Sequence, residues 1–520
     1  MTLAYRHRIA LFAPAALLVA LAACDGGSEE TTTQGTGGSA GDAGSGGTTA
    51  SNTGGDGGLF ETSSNTNMTT TTMTTVDPSA PCESSEATSP STLWAKKAGA
   101  ANVQATLGIA ADGQGNVVVS GNFLGSIDFG TGALTSAGQN DAFVAKLDAN
   151  GTAVWAKRYG DAQYHQYAQH LAVDGQGNIL VTGHFRGTIN FGGNALNDVY
   201  NFFEDVFIAK LDSGGNHVWS KRYGDINNEE SQSIAVDAQG NVLAIGSFQK
   251  SINFGGGALI AEDDGYNVYI AKLNALGDQQ WAKSLGDTAN EQKGLGVAAD
   301  KDGNVYIVGY HRGMIDFGPA GAFTAEANGQ NAYVAKLSPA GTFLWARSWK
   351  ASEAAAVDVA VDSSGSPFIT GNFKGPVSFG GKEFDAGVAN DVFLVKLDKD
   401  GGHVWSRAFG TKNAADEVTS VELSGDKPVL LGAFTNKIDF GGGGLTSAGG
   451  YDVFLAKLDK EGCQIHASVF GGPMLQRGET LAVDPTGNIL FGGSFTDTVD
   501  FGLGALTATE TDAYFAKAKP

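Results

Sequence analysis

Tryptophan returns along this chain at intervals of 60 to 64 residues, at Trp94, Trp155, Trp219, Trp281, Trp345 and Trp405, with Ile465 in the place of a seventh. A fixed period of this length constrains the fold more than any local propensity, because each unit must be a small module that buries its faces against its neighbours. Every unit reads as four short segments of strand character. In the third they are residues 233–237, 241–246, 268–273 and 280–283, here called a, b, c and d, with turns at Gly240 and Gly277 and a long b–c connection carrying Ile252-Asn253-Phe254-Gly255. Strands of this length, bounded by Gly and Asn and without a helical period, predict an antiparallel all-β chain. Four-stranded units repeated radially predict a seven-bladed β-propeller.

The ends of the repeat predict how the ring closes. Thr92-Leu93-Trp94-Ala95-Lys96 matches strand d, whereas the last unit ends after Ala513-Tyr514-Phe515-Ala516-Lys517, which matches strand c. The N-terminal strand is therefore expected to complete the last blade and leave no open sheet edge.

Three recurring motifs support a family resemblance. Asp-x-x-Gly-Asn (Asp112 to Asn116, Asp174 to Asn178, Asp237 to Asn241, Asp300 to Asn304, Asp484 to Asn488), Phe-Gly (Phe129 through Phe501) and Ala-Lys-Leu-Asp followed by Trp resemble the bacterial SBBP-type β-propeller repeats, over about residues 91–520. The resemblance implies the fold and is silent on activity. Unit six departs from it at Leu423-Ser424-Gly425-Asp426-Lys427, and unit five has Ser366 in place of the turn Asn.

Ahead of the repeat, Arg6, His7 and Arg8 precede an apolar run, interrupted by Pro14, that is too short to span a bilayer and has the layout of a secretory signal over residues 1–23. Leu21-Ala22-Ala23-Cys24 resembles a bacterial lipobox, which implies acylation of Cys24 and a membrane anchored through that lipid. Residues 24–90 are rich in Gly, Ser and Thr and are expected to form a flexible tether. Export and attachment to the bacterial envelope follow as expectations, at the outer membrane or cell surface in preference to the inner membrane. In that oxidising setting Cys82 and Cys463 are either bridged or two free thiols.

The net charge of −22 argues against nucleic acid as a partner, since phosphate binding needs clustered Lys and Arg. The Asp-x-x-Gly-x-x-x-Trp pattern (Asp148, Gly151, Trp155) resembles the docking motif of quinoprotein dehydrogenases and the Asp-box of sialidases; in both it is structural, implying a turn and a Trp packed between blades. The aligned lysines Lys146, Lys210, Lys272, Lys336, Lys396, Lys457 and Lys517 are expected to meet turn aspartates. The residue before each Phe-Gly, such as Asp128 or Asn190, reads as a turn cap in preference to a calcium ligand. His217 and His403 are expected to face solvent, and His311 to pack where other units have Phe. No dinucleotide, P-loop, nucleophile-elbow or zinc motif appears in a suitable context. No catalytic residue, cofactor or metal is assigned, and the protein is expected to be a monomer.

Loop lengths predict the working face. The a–b and c–d turns are short and repetitive, and antiparallel order puts them on one face; the d–a and b–c connections are long, vary, and share the other. Any ligand is expected there, at Tyr164, His165, Tyr167, His170, Asn228, Glu229, Glu230, Asn290, Glu291, Asp416, Glu417, Gln476 and Glu479. The sequence favours a non-catalytic, lipid-anchored scaffold for a protein or glycan. The alternative is a propeller-type hydrolase or lyase acting on polysaccharide, which would require non-repeating polar residues converging on one side of the channel.

Overall fold

A computed structural model describes residues 91–519, apart from 199, 201, 262–264 and 288–289. The proposed signal, Cys24, the tether and Cys82 lie outside the described residues. Cys463 is disulfide-bonded. No helix among the described residues is long and apolar enough to cross a membrane.

Among the described residues the main strands form seven four-stranded antiparallel sheets. The first runs from the inside outward as Gln104–Ala111, Val117–Phe123, Asp141–Leu147 and Ala153–Tyr159. Five more repeat that order. The seventh takes Gln476–Val483, Ile489–Asp500 and Ala505–Ala518 from the end of the chain and its outermost strand, Thr92–Ala98, from the beginning, with Trp94 opposite Lys517 and Ala98 opposite Ala513. Each innermost strand packs against the next, and Gln104–Ala111 meets Gln476–Val483, so the ring is closed. The chain is an all-β seven-bladed propeller.

Strands b and c are apolar without alternation because a blade has a neighbour on each face: Val117–Phe123 and Asp141–Leu147 are buried at every residue. The core is accordingly a series of apolar layers between successive sheets, as where Leu180, Val206 and Ile208 of one blade meet Ile234, Val242 and Tyr269 of the next.

The repeated motifs tie each blade together and join it to the next. In six of the seven blades the a–b turn is closed by its Asp, whose carboxylate accepts the N–H groups two and four residues on; Asp112 takes those of Gln114 and Asn116 at 2.9 and 3.0 Å. That carboxylate also pairs with the buried strand-c lysine, as in Lys146–Asp112 at 2.9 Å, Lys272–Asp237 at 2.8 Å and Lys517–Asp484 at 2.7 Å. In blade six, where the turn departs, Lys457 donates to Ser424 Oγ at 3.1 Å instead. The strand-d tryptophans reach further: Trp94 Nε1 donates to the carbonyl of Ala149 at 3.1 Å, Trp281 to Pro339 at 3.0 Å and Trp405 to Lys460 at 2.9 Å, each in the c–d turn of the next blade. The indole lies on the Gly of that turn; a Cβ at Gly341, where φ is +83°, would stand 2.8 Å from the Trp281 ring.

Strand pairing corrects one alignment. The residue opposite Lys457 is His466, as Trp155 is opposite Lys146, so His466 and not Ile465 fills the seventh tryptophan position. The reason is local. Blade six would dock its indole on the c–d turn of blade seven, and that blade has no such turn, since its c and d strands come from opposite ends of the chain. His466 is buried there, and burial followed by the charge of Lys457 pushes its imidazole down to about 4.

The b–c connections also differ from expectation. In blades one to six they form two-stranded ribbons, such as Ser251–Asn253 with Ala258–Ile260. Several of these pack against their own outermost strand, as Leu134–Thr135 does on Ala153–Tyr159 and Ala258–Ile260 on Gln279–Leu285. The Phe-Gly phenylalanine pins the ribbon, with the Phe254 ring tilted against Tyr223 at 4.6 Å and Tyr269 at 5.2 Å. The residue before it caps the ribbon turn: Asp128 and Asn190 each accept the N–H of the following glycine at 2.7 Å. His217 and His403, expected to face solvent, are half-buried under ribbon glycines, with Nε2 at 3.1 Å from Ser220 Oγ and 3.2 Å from Ser406 Oγ. His311 is fully buried, bonded to Ser348 Oγ at 2.8 Å.

Candidate functional site: the channel mouth

All seven innermost strands carry a bulge at the same place. The strand a–b register skips one residue in each: Leu107, Gln169, Gln232, Leu295, Val357, Thr419 and Glu479. A bulge adds an unpaired residue and turns the strand locally, so it sets which side chains reach the channel. Counting back from it separates two kinds of position.

Three residues before the bulge stand Gln104, Gln166, Glu229, Gln292, Ala354, Asp416 and Gln476, all fully buried. These are structural. Gln166 and Gln292 donate to the carbonyls of Arg186 and Arg312, each at 2.9 Å, and Gln476 accepts the Gly472 N–H at 3.1 Å, fastening the d–a connection to the end of strand b. Glu229 lies against Asp205 of the preceding blade, which Arg222 holds at 2.5 Å; burial and the Asp205 charge push the Glu229 carboxyl well above its ordinary range. Asp416 lies against Asp391, and among the described residues no such cation pairs with either. Burial raises both, Asp391 to about 7 and Asp416, with the Asp391 charge added, to about 8. Glu229, Asp416 and Gln476 thus leave the set of ligand-facing residues: loop acids by sequence, they are interblade packing groups in the fold.

Two residues before the bulge the blades differ from one another: Ala105, Tyr167, Glu230, Lys293, Ala355, Glu417 and Arg477. Neighbouring blades pair these charges across their interface, Glu230 with Lys293 at 2.6 Å and Glu417 with Arg477 at 3.2 Å. Each cation also covers an aromatic ring, Lys293 over Tyr266 at 4.1 Å and Arg477 over Tyr451 at 5.1 Å. Glu291 stands beyond, 3.8 Å from Lys293 and 3.9 Å from Arg312, with over a third of its side chain exposed. A third group occupies blade two, where His165 stacks on Tyr167 at 6.0 Å and Tyr167 tilts on His184 at 5.1 Å, with Glu204 3.6 Å from His184. Burial holds the His165 imidazole down and pushes the Tyr167 phenol up to about 12.

The remaining expected residues divide. Tyr164, half-buried, caps the d–a loop through its N–H to Asp161 at 2.9 Å; Asn290 bonds Asp287 at 3.0 Å, and Asn228 accepts the Glu204 N–H at 3.2 Å. His170 and Glu479 lie lower, lining a cavity in the channel with Gln232, Asp358 and Thr419. Sequence reasoning places Lys293 and Arg477 in the variable d–a connections without singling them out, and misses Glu204, Tyr266 and Tyr451; their signal is a residue that breaks the repeat at an aligned position, which becomes readable only once the bulge fixes the alignment.

Residues 154–184 match a family model described as SBBP, beta-propeller repeat. That stretch runs from the outermost strand of blade one through strand b of blade two. The chain is also similar to an uncharacterized WD repeat-containing protein, L264, of Acanthamoeba polyphaga mimivirus, with 22% identity over 42% of this chain and 19% of that one. It is similar to the regulatory protein FlaEY of Caulobacter vibrioides, with 24% identity over 49% of this chain and 28% of that one. It thus spans under a third of the curated relatives it matches. Among solved structures, a streptogramin B lyase shares 12% identity over 82% of this chain and 97% of that one, with a TM-score of 0.38. A fungal alcohol oxidase of the AA5 family in complex with copper shares 13% identity over 82% and 76%, with a TM-score of 0.41.

Proposed function

We propose that this propeller is a non-catalytic scaffold of the bacterial envelope, lipid-anchored through Cys24, that holds a protein or glycan at the d–a mouth of its channel. The observation that carries this reading is the contrast between adjacent strand positions: one is fully buried in every blade, while the next carries a charged or aromatic group in five blades (Tyr167, Glu230, Lys293, Glu417 and Arg477) and alanine in the other two. Rigid scaffolds commonly carry function on such variable positions. Two features favour binding over catalysis. The charged groups of the mouth form three clusters, in blade two, across blades three and four and across blades six and seven, and the mouth acids Glu230 and Glu417 are engaged by cations of the next blade.

The test is capture from detergent-solubilised envelope of the producing organism, using the full chain. Tyr164→Ala combined with Glu291→Ala is expected to reduce capture of the specific partner at least about tenfold, while Asp400→Ala on the c–d turn face leaves it unchanged. Loss only with the turn-face variant would overturn the reading, and turnover of an envelope polysaccharide that Glu417→Gln abolishes would replace it with a hydrolase or lyase. For the anchor, labelled palmitate is expected on the wild type and not on Cys24→Ala; equal labelling would remove the lipid from the account.

A further inference from the structure

Beneath the mouth the channel holds a cavity of about 80 Å³, lined by residues of blades two to seven. At 10–15 Å³ for each water, that is room for about six waters, roughly the bulk of one pyranose ring. Its wall has two characters. Leu295 and Val357, the bulge residues of adjacent blades four and five, form an apolar strip. Gln232, Glu417, Thr419 and Glu479 face the same space with hydrogen-bonding groups.

The polar groups are fixed before anything enters. Arg477 holds Glu417 at 3.2 Å, and Asp358 accepts the N–H groups of Val359 at 2.9 Å and Val421 at 3.0 Å. His170 Nδ1 faces the Ile234 N–H at 3.5 Å, which leaves its Nε2 as the donor.

This wall discriminates between ligand classes. An anion would meet Asp358, Glu417 and Glu479 against a single arginine already paired with Glu417. A small cation needs several carboxylate oxygens free to converge on one point, and those of Asp358 and Glu417 are already engaged by the N–H groups and the guanidinium. A sugar suits both halves, because its hydroxyls donate to carboxylates and accept from amides while its C–H face covers an apolar strip. We infer that the channel cavity takes one uncharged pyranose unit, the end of a neutral glycan entering through the mouth. This rests on the mouth being the binding face.

The experiment is titration calorimetry of the full chain with the methyl glycosides of glucose, galactose, mannose and N-acetylglucosamine, and with glucuronate, calcium chloride and putrescine. At least one neutral glycoside is expected to bind, with glucuronate about tenfold weaker or undetectable. Glu479→Ala and Gln232→Ala, which each remove hydrogen bonds to the sugar, are expected to weaken it about tenfold. Leu295→Phe, which fills the cavity and leaves its polar wall intact, should exclude the sugar from a protein whose thermal unfolding is checked in parallel. Absence of binding by every neutral glycoside overturns the inference, as does sugar binding that all three variants leave unchanged, or calcium or putrescine being the probe that the variants displace. Envelope capture that depends on Tyr164 and Glu291 but not on Gln232 or Glu479 would leave the scaffold reading standing while this inference fails.

Discussion

Glutamine suits the first buried position of an innermost strand because its amide can donate and accept at once without carrying charge, as Gln166 and Gln292 do. Asp416 occupies the same position with neither advantage: it faces Asp391, and one oxygen of each is buried without a partner. Both carboxyls lie above the ordinary carboxylate range, Asp391 at about 7 and Asp416 at about 8. The folded state therefore binds protons that the unfolded chain has released. The pair's contribution to stability is fully present below about pH 4 and is lost as pH rises through 7 and 8. Asp416→Gln, the residue four other blades use, is expected to raise stability at pH 8 by on the order of 2 kcal/mol and to change it little at pH 4, read from urea unfolding at the two values. An equal effect at both would remove the shared-charge explanation. The sequence displayed Asp416 and Glu229 only as acids in variable loops. Their burial comes from the blade interface, which joins residues more than twenty positions apart and leaves no local periodicity to read.

At the scale of elements, the Trp and the Gly it covers form one device, and both were visible as a period. Gly341→Ala is expected to cost about 1–3 kcal/mol, because it places a Cβ at positive φ against the Trp281 ring. Trp281→Ala should cost a comparable or larger amount, and the double variant less than the sum of the two, since one contact is removed twice. Additive losses in thermal unfolding would mean the two residues act separately. His466→Trp is expected to give no gain, for want of a turn to receive it. The a–b and c–d turns were legible because hairpin turns advertise themselves with Asp, Gly and Asn. The ribbons were not, since strands of two or three residues have no alternation to detect, and what seemed a variable working loop is fastened along the outer strand by Phe-Gly.

For the whole molecule, closure by Thr92–Ala98 makes the ring one cooperative body and covers the edge of Ala505–Ala518. Removing residues 1–98 is expected to lower the unfolding temperature and to produce oligomers in size-exclusion chromatography, as an uncovered strand seeks a partner. A truncated chain that stays monomeric with unchanged stability would deny the strand that role. Once closed, the ring offers two faces of opposite character, one of short repeated turns and one where Tyr167, Glu230, Lys293, Glu417 and Arg477 break the repeat. The measurement that separates them most directly is site-specific photo-crosslinking in the native envelope, with a benzophenone amino acid placed at Tyr164 in one strain and at Asp400 in another. The account predicts a discrete, ultraviolet-dependent adduct from position 164 and none from position 400. An adduct from position 400 alone would contradict it.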